Sequence, residues 1–171
     1  MSSEVLVNPR GIFDRGALGV TLEAVPVLIE RQRVRFFAQV LGETNLIHFD
    51  ADVAHAAGHH DLVAPASFFM VVEAAANEER GRRALPSLLD VVVCDFRYLL
   101  HGDERYFYDA PIYAGEEVLF ASKVVDFYDK KGGAMEFVVT ESTITHPKRG
   151  VLMRSRRTLL HRLPDAKDGS R

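Results

Sequence analysis

Residues 61–85 read DLVAPASFFMVVEAAANEERGRRAL, and the apolar run within them sets what the rest of the chain must do. Pro65 suits the first turn of a helix, where a missing N–H costs no hydrogen bond and the fixed φ is already helical. Beyond it, Phe68, Phe69, Val71, Val72, Ala75 and Ala76 spread apolar side chains around most of the helical circumference. Such a helix has no face to give to water, so it belongs inside the protein, wrapped by a sheet. The charged run Asn77–Arg83 closes it, with Gly81 as the expected stop.

Downstream the character changes. After Pro86 the runs LLDVVVCDFRYLL, ERYFYDAPIY, EVLFASKVVDFYDKKG, AMEFVVTESTITH and GVLMRSRRTLLHRL are β-branched, aromatic and partly alternating. KKGGA and HPKRG between the last three are hairpin signals. The expectation is four or five antiparallel strands in an α+β layer fold, the sheet curling round the helix. A single sheet of this kind leaves an open face and an edge, which favours a dimer.

Upstream, Ile29, Phe36, Phe37, Val40 and Leu41 fall at helical spacing, with Glu30, Arg31, Arg33 and Arg35 opposite and Gly42 as C-cap. A short helical turn over Asp52–Ala57 precedes Gly58. Residues 1–26 read as an irregular arm with one short strand, 27–163 as one domain, and 164–171 as a polar tail.

Composition narrows the function. The 171 residues are 47% hydrophobic and 26% charged, with net charge −3, ordinary for one globular domain. That charge argues against nucleic acid or an anionic membrane as partner. Cys94 is the single cysteine, so there is no disulfide framework or thiolate metal cluster; within VVVCDF it reads as a small buried hydrophobe. No apolar run reaches membrane-spanning length and no cationic leader precedes one, so a cytoplasmic location is expected.

The chemistry concentrates in LGETNLIHFD, residues 41–50. Glu43, Asn45 and His48 lie within six positions of one another after a helix end, with Leu46 and Ile47 framing the histidine. A second cluster, His55, His59 and His60, is interrupted by Gly58 and has no further ligand in view, so no metal site is expected. Those histidines read as lining a cleft mouth or facing water. Asp95, Asp109 and Asp126 read as solvent-facing.

The segments FAQVLGETNLIHFD, AGHHDLVAPASF, YDAPIYAGEEV and the strand MRSRRTLLHR together resemble the MaoC-like dehydratases and (R)-specific enoyl-CoA hydratases of the hotdog fold. More narrowly, they resemble the N-terminal-type MaoC, or FAS1-like dehydratase, domain found in mycobacterial 3-hydroxyacyl thioester dehydratases. The resemblance runs from about Val27 to Arg162. The family motif is Asp-x-Asn-Pro-x-His, with a His-Gly at the start of the central helix. Glu43 stands at the Asp, Asn45 and His48 match, Leu46 replaces the Pro, and Pro65 and Ala66 stand at the His-Gly pair.

The resemblance implies a curved antiparallel sheet round a long central helix. It also implies hydration and dehydration of acyl thioesters, with Glu43 and His48 activating water and Asn45 anchoring the loop or the water. The N–H of Ala66 would face the thioester oxygen, and Pro65, Ser67 and Phe68 would border the substrate, with the acyl chain beside the helix. No metal or redox cofactor is implied, since CoA or acyl-carrier pantetheine arrives with the substrate. The partner would be a second copy or another hotdog subunit. The departures at Glu43, Leu46 and Pro65–Ala66 suit an alternative, a non-catalytic acyl-binding subunit of a catalytic MaoC-like partner. A thioesterase would share the fold, but the motif argues against it.

Overall fold

The computed structural model describes residues 8–164. Five strands, β1 (Val25–Leu28), β2 (Leu99–Tyr108), β3 (Glu117–Lys130), β4 (Met135–His146) and β5 (Gly150–Arg162), form one antiparallel sheet in the order β1-β3-β4-β5-β2. The two hairpins fall where the turn residues call for them. Lys131, Gly132 and Gly133 take positive φ between β3 and β4, and Gly150 does so at the start of β5. Helix α1 (Arg31–Leu41) and the short α2 (Ala51–Ala56) precede the central α3 (Phe69–Arg82), which follows a 3-10 turn at Ala66–Phe68; α4 is Leu88–Val91.

The sheet curves onto α3 as the apolar pattern demands. Phe69, Val72 and Ala76 are fully buried against Val118, Phe120, Ile144, Leu152 and Met153. Burying a large apolar side chain contributes roughly 1.5–3 kcal/mol, so this contact outweighs the weak helix propensity of a Phe- and Val-rich start. A second apolar cluster, with Phe13, Ala17, Val92, Val124, Val138 and Leu159 at its centre, closes the far end of the sheet. The short strand expected in the arm is β1, which straddles residue 26, and Phe13, Ala17 and Leu22 of the arm are buried. The readings of residues 1–7 and of 165–171 lie outside the described residues.

Three expectations are corrected. LLDVVVCDFRYLL is not a strand over most of its length. Ser87 accepts a hydrogen bond from the Asp90 N–H and the Asp90 carboxylate accepts one from the Ser87 N–H, a capping box that starts α4, and β2 begins only at Leu99. Local capping and the burial of Val92 override β propensity there. Gly81 does not stop α3. The helix runs through Arg82, Ala84 takes the left-handed conformation (φ 55°), and the Leu85 N–H closes onto the Arg80 carbonyl. Helix α1 is rotated relative to its predicted face. Val34 and Ala38 are buried, whereas Phe36, Val40 and Leu41 are exposed, because the smaller pair lets the helix approach the core closely.

Gly102 lies in a β-bulge between His101 and Glu104, where a Cβ would sit 2.8 Å from the Thr158 carbonyl oxygen. The clash is with backbone of the neighbouring strand, so it cannot be relieved by a rotamer change. Gly102→Ala is expected to cost about 1–3 kcal/mol, read as a shift in urea midpoint.

Candidate active site

The loop after α1 is built to present one imidazole. Gly42 takes φ 74° at the helix end and Glu43 donates its N–H to the Ala38 carbonyl at 3.0 Å, turning the chain out of the helix. Asn45 then caps a 3-10 turn over Leu46–His48, its Oδ1 accepting the Ile47 N–H at 3.2 Å. His48 is 9% exposed, and its Nδ1 lies 2.6 Å from the Val63 carbonyl oxygen. A carbonyl can only accept, so Nδ1 carries the proton. In the neutral ring Nε2 therefore presents a lone pair, and it has no partner among the described residues. The Val63 N–H donates to the Ile47 carbonyl at 3.1 Å, so both polar backbone groups of Val63 hold the histidine turn.

Val63 is also the anchor of the next element. Ala64 donates to Ile112 at 2.9 Å and Ala114 to Leu62 at 3.0 Å, which fixes residues 62–64 against 112–114. Pro65 follows at once and opens the 3-10 turn that leads into α3. The N–H groups of Ala66 and Ser67 have no acceptor among the described residues, as expected for the first turn of a helix. The Tyr108 hydroxyl donates to the Ala66 carbonyl at 3.2 Å. His48 and the open donors of Ala66 and Ser67 are thus tied together through one short segment.

The other predicted residues are placed differently. Glu43 is exposed, and its carboxylate has no hydrogen-bond or ion-pair partner among the described residues. Asn45 is exposed, with its carbonyl oxygen committed to the cap. Pro65 is buried, Ser67 half-buried, and Phe68 is 1% exposed with its ring edge-on to Phe37. Val63 and Tyr108 were not singled out in the sequence. Tyr108 lies in the quoted YDAPIYAGEEV, but a backbone acceptor such as Val63 leaves no mark on side-chain pattern. A hollow of about 890 Å³ between β1 and the outer side of α3 takes in none of these residues.

The profile of the FAS1-like, dehydratase domain region matches residues 17–154. The chain belongs to that family. It is a MaoC-like hotdog protein, similar to a UPF0336 protein of Clavibacter michiganensis, with 32% identity over 143 residues, 84% of this chain and 91% of that protein. In structure it is similar to the C-terminally truncated HadBC (3R-hydroxyacyl-ACP dehydratase) complex from Mycobacterium tuberculosis, with TM-score 0.66 and 19% identity over 84% of this chain and 96% of that one. It is also similar to the MaoC-like dehydratase from Rhodospirillum rubrum, with TM-score 0.58 and 18% identity over 91% of this chain and 100% of that one.

Around the site of this dehydratase-domain chain, the second histidine cluster is committed to structure. His55 Nε2 lies 2.8 Å from the His60 carbonyl and His59 Nδ1 lies 3.2 Å from the Tyr113 hydroxyl. No grouping among the described residues could hold a metal ion, and none of their helices is long and apolar enough to cross a membrane. Cys94 is half-buried, its Sγ 3.7 Å from His161 Nε2, which accepts the Asp95 N–H. Burial, with the nearby Asp95 charge, pushes the thiol pKa up, which keeps it protonated rather than nucleophilic. Asp95 is half-buried rather than fully solvent-facing; hydrogen bonds from Arg97 hold its carboxyl down to about 2. Asp109 and Asp126 are exposed.

Proposed function

We propose that this dehydratase-domain chain interconverts 3-hydroxyacyl and trans-2-enoyl thioesters of CoA or an acyl carrier protein. The observation that carries the reading is the His48 ring, oriented by Val63 with a free Nε2 and tied to the donor-rich start of α3. In hydration, Nε2 takes a proton from water as its oxygen bonds to carbon 3. The carbon–carbon π electrons move toward the thioester, and the N–H groups of Ala66 and Ser67 donate hydrogen bonds to its oxygen as negative charge develops there. The proton taken by His48 returns to carbon 2, so one water is added across the double bond and the protein is regenerated. Glu43, whose exposed side chain turns about three torsions, shares the water with His48. A partner hotdog, identical or different, covers the open side of the site.

The test follows loss of enoyl-thioester absorbance with crotonyl-CoA. Turnover is expected, reduced on the order of a hundredfold in Glu43→Gln, the lower range for removing an acid–base group. The exposed, unpartnered Glu43 favours a second reading, an acyl-binding subunit that shapes the site of a catalytic companion. Absence of turnover with both short and long enoyl-CoA, from a folded dimer, would replace the first reading with the second. Co-elution with a co-expressed MaoC-like companion would then be expected.

A further inference from the structure

A separate cavity of about 390 Å³ lies where the two apolar clusters meet, between α3, α4 and the concave face of the sheet. Its volume falls within the range of small-molecule sites, roughly 300–1,000 Å³. Leu22, Leu88, Leu89, Leu99, Phe120 and Leu159 supply apolar walls. Glu73, Asn77 and Arg80 of α3 enter from one helix face, spaced i, i+4 and i+7, and Arg157 of β5 meets them. A core designed only for stability would place aliphatic residues here, because buried guanidinium groups cost several kcal/mol to desolvate.

The two arginines differ in how they are compensated. Arg157 is bidentate to Glu73 at 2.9 and 2.7 Å and also meets Glu104 at 2.8 Å, yet its Nε is buried without a partner. Arg80 is 2% exposed, and its two terminal guanidinium nitrogens donate to the Pro86 and Glu23 carbonyls, neutral acceptors that leave its charge uncompensated. No carboxylate lies within ion-pairing distance of it among the described residues; the charge of exposed Glu23 acts only from further away. A buried guanidinium with no carboxylate partner among the described residues, beside an apolar chamber and with Glu73 already paired to Arg157, forms a polar end and an oily end.

We infer that this chamber binds an amphipathic carboxylate of about medium-chain fatty-acid size, its carboxylate on Arg80 beside Asn77 and its chain among Leu88, Leu89, Leu99 and Leu159. The inference is independent of the thioester chemistry at His48. Arg80 supplies the counter-charge the ligand needs, and the ligand removes the cost of an unpaired buried cation. Exposed Asn77 stands at the mouth.

Isothermal titration of the full chain with decanoate and with decan-1-ol, both below their aggregation limits, tests this. Decanoate is expected to bind and decanol to bind at least tenfold more weakly, the range of one charge-assisted hydrogen bond. Arg80→Gln should weaken decanoate about tenfold or more and leave decanol unchanged. Should that variant not fold, Asn77→Asp, on an exposed position, sets a like charge at the mouth and should weaken decanoate alone. Equal affinity for both ligands, indifferent to either substitution, would overturn carboxylate recognition. No binding of either would mean that the chamber holds water alone.

Discussion

His48→Ala is expected to lower kcat/KM for crotonyl-CoA hydration about 10²–10⁴-fold, the range for losing a general base. The orientation of the imidazole is fixed by a hydrogen bond to a segment outside the loop, the Val63 carbonyl. Truncation also leaves that carbonyl without a donor, which costs about 1–3 kcal/mol, so activity must be compared with thermal stability measured on the same samples. Two readouts separate chemistry from folding. Added imidazole should restore part of the rate in the folded variant, and His48→Gln, which can still donate to Val63 but carries no basic nitrogen, should be stable yet almost as slow as alanine. Unchanged kcat/KM in His48→Gln would remove His48 from the reaction.

Arg157→Met is expected to be the most destabilising single change in the interior, at about 3–5 kcal/mol near neutral pH, because it strands two largely buried carboxylates. Glu73 and Glu104 both bond the Arg157 guanidinium, and Ser155 donates to Glu104 at 2.7 Å. Burial alone would raise the Glu104 carboxyl, but hydrogen bonds from Arg157 and Ser155, with the Arg157 charge, outweigh it and hold the pKa below the usual range. The neighbouring Tyr106 hydroxyl, half-buried and beside Glu104, is pushed up to about 12.

The pH dependence of that change follows from the direction of the Glu104 shift. In the parent, the contribution is present above the ordinary carboxylate pKa of about 4.3 and is lost as pH falls through the depressed value. Without Arg157, burial leaves the carboxyl raised, so the variant carries a penalty at neutral pH that protonation relieves. The stability gap between parent and variant should therefore narrow as pH falls from about 7 toward 4, measured by urea unfolding at each pH. Adding Glu73→Gln and Glu104→Leu to Arg157→Met should recover much of the loss, since the stranded charges go with them. A gap that widened on acidification would show that Glu104 is not held by Arg157.

The amino-acid sequence by itself determined the central helix and the three long strands β3, β4 and β5, and it singled out the loop proposed as the candidate site. Each is a local matter: the apolar circumference of FFMVVEAAA, the alternation that stops at KKGGA and HPKRG, and three chemistry-bearing residues after Gly42 are all read within a few positions. The face of α1 was not legible, because Val34–Ala38 and Phe36–Val40 are equally helical stripes and only packing chooses between them. Nor was α4, where one capping box outvotes a run of valines. The tertiary structure alone decided which nitrogen of His48 is free, since its partner is a backbone carbonyl 15 residues away. It also decided that Glu73 and Arg157, 84 residues apart, share a chamber. Periodicity reports which side of an element is apolar, whereas hydrogen bonds between distant segments depend on how the sheet closes over the helix.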